Sequence, residues 1–165
     1  APLPDSRFVS WLGQAQAMHR WDDWGGLQLI GRVAAQIADD RLFPLEQMPV
    51  GGRFSVRGYR ENSLVRDNAV LASIEPRIPL VRFASGEDRV QLAPFVDIGH
   101  AWNAKGATPD VRTLASIGAG IRWMILPQER ARFEVYWGQQ LNHLRSGEGN
   151  LQDHGIHLQL VWQVL

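Results

Sequence analysis

The stretch Val50-Gly51-Gly52-Arg53-Phe54-Ser55-Val56-Arg57-Gly58-Tyr59-Arg60-Glu61 lies in the middle of the longest segment of the chain that reads as neither strand nor helix. Gly51-Gly52 and Gly58 can take backbone conformations closed to other residues. Arg57 and Tyr59 flank Gly58, so a charge and an aromatic ring project from one tight backbone feature. Read alone, this is a glycine-containing hairpin loop with a solvated arginine. The surroundings decide, and on both sides they read as β-strand.

Before the loop, residues 8–19 place Val9, Trp11, Gly13, Ala15 and Ala17 on one face, with Leu12 out of place. Asp22-Asp23-Trp24-Gly25-Gly26 is a turn signal. Residues 27–38 put Leu27, Leu29, Val33, Ala35 and Ile37 on one face and Gln28, Arg32 and Gln36 on the other, which is period two rather than 3.6. A helix over residues 33–40 competes, since Ala35, Gln36 and Ala38 suit one. After the loop, residues 70–80 alternate Val70, Ala72, Ile74 and Ile78 against Ser73, Glu75 and Arg77, although Pro76 and Pro79 each remove a ladder donor. Residues 90–102, 113–125, 131–141 and the run from Ile156 repeat the pattern. Phe95, Asp97 and Gly99 share the polar face of the first of these, and Ser116, Gly118, Gly120 and Arg122 that of the second. This makes about seven strands of roughly 9–13 residues, long for a soluble sandwich and right for tilted membrane strands.

The totals narrow the class. Lysine plus arginine equals aspartate plus glutamate at 17 each, so nothing attracts nucleic acid. There is no cysteine, hence no disulfide framework or thiolate metal site. Ala1-Pro2-Leu3-Pro4-Asp5 lacks the basic and apolar regions of a signal peptide. A mean hydropathy of −0.20 argues against helical spans but not against a membrane barrel, whose strands alternate so that the average cancels.

Two features favour the barrel. The polar faces carry Arg, Glu, Gln, Ser and Gly but no lysine, and the only lysine in the chain is Lys105, in a loop. An enclosed polar lumen explains that mixture better than a water-facing surface. The connections also alternate in length: about five residues, then about 30, then roughly eight, eleven, four and thirteen, as outer-membrane barrels require. If the chain ends on the periplasmic side, the short turns are periplasmic and the long central loop, at about residues 39–69, is extracellular. Trp102, Trp123 and Trp162 near strand ends fit an interfacial girdle. Seven strands do not close a single-chain bacterial barrel, so residues 1–165 read as the C-terminal portion of a larger all-β transmembrane antiparallel barrel.

The residues also carry a resemblance. Leu45-Glu46-Gln47-Met48-Pro49-Val50-Gly51-Gly52-Arg53-Phe54-Ser55-Val56-Arg57-Gly58-Tyr59-Arg60-Glu61, with its Val-Arg-Gly-Tyr core, resembles the signature loop of two-partner secretion transporters. These are the TpsB proteins of the ShlB/FhaC/HecB haemolysin secretion/activation type. A second family motif, Phe-x-Asp-x-Gly, appears as Phe95-Val96-Asp97-Ile98-Gly99 behind Pro94. The resemblance implies a barrel of roughly sixteen strands behind periplasmic POTRA domains. It implies that the loop folds back into the lumen, with Arg57 meeting Asp97 on the wall. An inward acid in a desolvated lumen needs such a partner, and the inward Gly118 and Gly120 leave room for a packed loop. Glu75 and Arg77 form a wall pair or stay solvated. The last strand partly matches an outer-membrane assembly signal in Gly155, Leu158 and Leu160, but Leu165 stands where an aromatic is usual.

The function implied is an outer-membrane pore of a Gram-negative bacterium that secretes a large unfolded exoprotein of haemolysin or adhesin type without ATP. No G-x-x-x-x-G-K-[ST] run occurs. The expected partners are that exoprotein, outer-membrane lipid and, during biogenesis, the barrel assembly machinery. The alternative is an outer-membrane protein assembly factor of the same superfamily; Arg60-Glu61 and Asp67-Asn68 favour secretion. Catalysis is not expected, because His19, His100, His143, His154 and His157 form no H-E-x-x-H and no G-x-S-x-G occurs. No cofactor or metal is expected either: His154 and His157 fall on opposite strand faces. A soluble β-sandwich binding module is the remaining competitor.

Overall fold

The computed structural model describes residues 7–126, 130–142 and 154–163. The expected tight connection at 127–130 and the polar stretch 142–153 fall largely outside these, as do His143 and Leu165. Nine strands follow in order: β1 (Ser10–Trp21), β2 (Leu27–Ala38), β3 (Met48–Val50), β4 (Leu64–Arg66), β5 (Asn68–Arg82), β6 (Asp88–Trp102), β7 (Thr113–Leu126), β8 (Ala131–Gln140) and β9 (Ile156–Trp162). Seven of them form one antiparallel sheet in the order β1-β2-β5-β6-β7-β8-β9, and β3 pairs with β4 in a small second sheet. The large sheet is open over these residues: β1 and β9 are its edges and do not pair with each other.

The seven expected long strands are all present. β2 runs through Ala38, paired along its length with β1, so the competing helix does not form. Cross-strand partners on both sides outweigh the mild helical preference of its alanines. The central connection is shorter than expected, since β5 already begins at Asn68, and it holds the β3–β4 hairpin. Strands of three residues are too short for alternation to reveal.

β5 absorbs its two prolines in different ways. No pairing with β6 falls between Ile74↔Val96 and Ile78↔Leu92. In that register Pro76 faces Pro94, and neither can donate to the other strand, so the ladder opens there. At Pro79 the register shifts instead.

The sheet is inverted relative to a water-soluble protein. One face is bare and apolar, with Val33, Val70, Ile74, Val96, Ile98, Ile117, Trp137, Leu158 and Leu160 exposed; Ile74 is 57% and Leu160 62% accessible. The opposite face, covered by the central connection, buries Glu75, Asp97, Arg122 and Glu134. Apolar outside and polar inside is the pattern of a membrane-spanning barrel wall. Six of the seven tryptophans lie near the ends of the sheet; Trp137 pairs with Ala119, near the middle of β7. Trp11 and Trp102 lie towards the end with the long connections, and Trp21, Trp24, Trp123 and Trp162 towards the end with the short ones. These are the two levels at which aromatic girdles sit.

Candidate functional site

The central connection returns to the sheet as a compact hairpin. Between β3 and β4 the chain reverses at Gly51 and Gly52, with φ of +113° and +100°. Gly52 N donates to Val56 O at 3.1 Å, Gly51 N to Ser55 Oγ at 2.8 Å, and Arg53 N to Glu61 Oε1 at 2.8 Å. Met48, Val50, Val56, Tyr59 and Leu64 pack against Ala69, Ala101 and Leu114 in one buried apolar cluster. The absence of a side chain at Gly99 makes that fit possible, since a Cβ there would meet Val50 and Val56 at 2.6 and 2.9 Å.

Arg57 lies at the centre. It is 1% exposed, and its guanidinium grips Asp97 with Nε to Oδ2 at 2.7 Å and Nη2 to Oδ1 at 2.8 Å. Its own backbone N also donates to Asp97 Oδ2, at 3.0 Å. Nη1 pairs with Glu75 Oε2, and Nη2 donates to Ser73 Oγ, which in turn donates to Asp97 Oδ1 at 2.6 Å. Glu75 takes a second arginine on its other oxygen, from Arg77 Nε at 2.7 Å, so Glu75 and Arg77 are a wall pair. The Arg57 guanidinium lies 3.7 Å from the Phe95 ring centroid, a cation–π contact in a desolvated setting. Burial alone would lower the Arg57 pKa; bonds and charge from Asp97 and Glu75 outweigh it, so the pKa is raised and the group stays charged. A bidentate, doubly countered arginine is the arrangement in which a buried ion pair holds, and removing one partner from such a pair costs about 3–5 kcal/mol.

A second arginine of the same hairpin reaches a different strand. Arg53 Nη2 pairs with Glu134 on β8, and its guanidinium stands 4.1 Å from the Tyr136 ring centroid. Glu134 is shared with Arg122 (Nε to Oε1, 2.9 Å) and Arg132 (2.7 Å). Arg122 also donates to Gln91 Oε1 at 3.1 Å.

The remaining contacts are made by backbone. Gly58, at φ +91°, lies against Gly138 of β8: a Cβ on Gly58 would meet Gly138 O at 2.8 Å, and one on Gly138 would meet Gly58 Cα at 2.9 Å. Gly58 N donates to His157 Nε2 at 3.1 Å, and Gln140 Nε2 donates to Gly58 O at 2.7 Å. Tyr59, fully buried, donates its hydroxyl towards Ala115 O and Asn142 O, each at 2.8 Å. At the base, Asp67 accepts from Leu42 N, Gln47 Nε2 and Ala104 N, each at 2.9 Å, and Asn68 Oδ1 accepts from Ala38 N at 2.6 Å. These bonds hold both legs of the connection to the rim.

The structure thus gathers Gly51, Gly52, Val56, Arg57, Gly58, Tyr59, Phe95, Asp97 and Gly99 in one contact zone. A Cβ on Gly118 would strike Trp137 O and the Phe95 ring, and one on Gly120 the Tyr136 ring, so these glycines admit the two rings and the neighbouring strand. Those rings then present their faces to Arg57 and Arg53. Residues not foreseen as partners are Arg53, Glu134, Tyr136, Gly138, Gln140 and His157. Alternation along residues 131–141 and from Ile156 sets Glu134, Tyr136, Gln140 and His157 on the polar face, but nothing in spacing says which loop atom each meets. His157 Nε2 accepts from the Gly58 backbone N–H, which ties β9 to the loop. No group of His, Asp and Glu among the described residues is arranged to hold a metal ion.

Residues 1–123 match the family described as haemolysin secretion/activation protein ShlB/FhaC/HecB. No curated protein matches the chain.

Proposed function

The chain belongs to the ShlB/FhaC/HecB family of haemolysin secretion/activation proteins, and from that premise we propose that its central hairpin is the brace of the export pore, held in working position by Arg57. The protein is an outer-membrane transporter of haemolysin- or adhesin-type partners in a Gram-negative bacterium, and not an enzyme. On our reading the seven strands are the C-terminal portion of a larger barrel of roughly sixteen strands. The long connections face the extracellular side, the bare apolar band faces lipid, and the barrel assembly machinery inserts the whole. The exported chain passes unfolded and without ATP. One observation carries the role of the hairpin: a loop arginine buried to 1% between carboxylates of two adjacent wall strands.

Arg57→Ala tests it. The variant is expected to reach the outer membrane as a heat-modifiable barrel and to leave no partner in the culture medium. Undiminished export by an assembled Arg57→Ala protein would sink the idea.

A further inference from the structure

The hairpin does not fill the space on its other side. Between its tip and β1, β2 and β5 lies a cavity of about 390 Å³. Gln14, Gln16, Arg32, Ser55 and Ser73 line it, together with Phe54, and among the described residues no carboxylate borders it. Phe54 is 79% exposed, whereas Val56 and Tyr59 of the same hairpin are fully buried. Its ring is backed by the Arg53 guanidinium, 5.7 Å from the ring centroid, which is itself held by Glu134 and lies over Tyr136. Thus β8 grips Arg53 on one side of the tip while the next residue presents an aromatic ring to the open space on the other. That ring contributes little to the stability of the hairpin, since little of it is buried.

We propose that this cavity is where the hairpin touches the exported polypeptide in extended form, with Phe54 as the contact. The inference rests on the transport function stated above. An extended chain carries unpaired N–H and C=O groups along its length and side chains on alternating sides. Glutamine amides and serine hydroxyls both donate and accept, so they can meet either backbone group without selecting a sequence. A flat aromatic ring offers apolar area to whichever side chain is passing. Arg32, bonded to the neutral Gln16 Oε1 at 3.0 Å, and the lack of a bordering carboxylate favour acidic segments over basic ones.

The test uses the full-length protein in its own outer membrane while its partner is being exported. A photo-crosslinking phenylalanine analogue is placed in turn at Phe54, at Gln16 and, as a control, at Ile98 on the bare face. Adducts with the partner are expected at the first two positions and not at the third. Phe54→Ala is expected to slow export about tenfold, the scale of one lost aromatic contact, with Phe54→Tyr close to the parent. Export at the parental rate by Phe54→Ala, or no adduct at Phe54 during normal export, overturns the inference and leaves the transport function standing. A partner that reaches the medium equally in cells lacking the protein overturns both.

Discussion

At the scale of single residues, the hairpin is seated by backbone as much as by charge. Gly138 is the informative position. Its backbone is not in the left-handed region, so the resistance to an alanine there comes from the Gly58 and Arg57 backbone it would strike, at 2.9 and 3.1 Å. Backbone cannot rotate away as a side chain can. Gly138→Ala should therefore cost about 1–3 kcal/mol of loop seating, the range for overpacking a tight contact. Limited proteolysis of the assembled barrel should show the central connection cut sooner. Gly31, with nothing within 4 Å of its missing Cβ, is the matched control, and Gly31→Ala should leave the digestion pattern unchanged. The pairing of Arg57 with Asp97 was implied by the family resemblance and supported by chemistry, because a buried acid needs a partner. Gly138 was not, because a glycine that admits another strand's backbone looks, in sequence, like any other glycine.

At the scale of the strand, alternation revealed nearly everything: seven strands, the inward set and the outward set. It could not see β3 and β4, whose three residues each carry no period. Nor could it see that the two prolines flagged as obstacles would be accommodated, one by facing Pro94 and the other by a register shift. The same alternation makes a prediction for the bare face. Ile74 lies near the middle of β5 and is 57% exposed on that face. If this face meets hydrocarbon, Ile74→Arg should destabilise the barrel by about 2–4 kcal/mol, the cost of a lipid-facing arginine at the bilayer midplane. The temperature at which the folded form stops migrating as a compact band in detergent gels should fall. An arginine tolerated there without change would argue for water on that side.

At the scale of the whole molecule, the rim opposite the short turns is tied by charge. Lys105 Nζ lies 2.5 Å from Asp40 Oδ2, and Arg41 N donates to Asp40 Oδ1 at 2.7 Å, joining the connection after β2 to the one after β6. The Lys105 bond, with help from the Arg41 backbone, holds the Asp40 carboxyl below its ordinary value. A carboxyl with a lower pKa in the folded state stabilises this contact above the unfolded pKa, and loses it as pH falls through the folded one. The tie should be constant from neutrality to about pH 4 and weaken below that. Amide exchange at Arg41 should report it, and Asp40→Asn should abolish the pH dependence. A different consequence follows from the place where β5 and β6 lack rungs between Ile74↔Val96 and Ile78↔Leu92. Glu75 and Phe95 stand at that gap, and Arg57 bonds Glu75 on one strand and Asp97 on the other. The arginine that seats the hairpin is therefore also a stitch across a seam in the wall. Loss of Arg57 would free the brace and unpick the wall together, leaving the two strands a crease along which to flex. Brace and wall are mechanically coupled through one guanidinium.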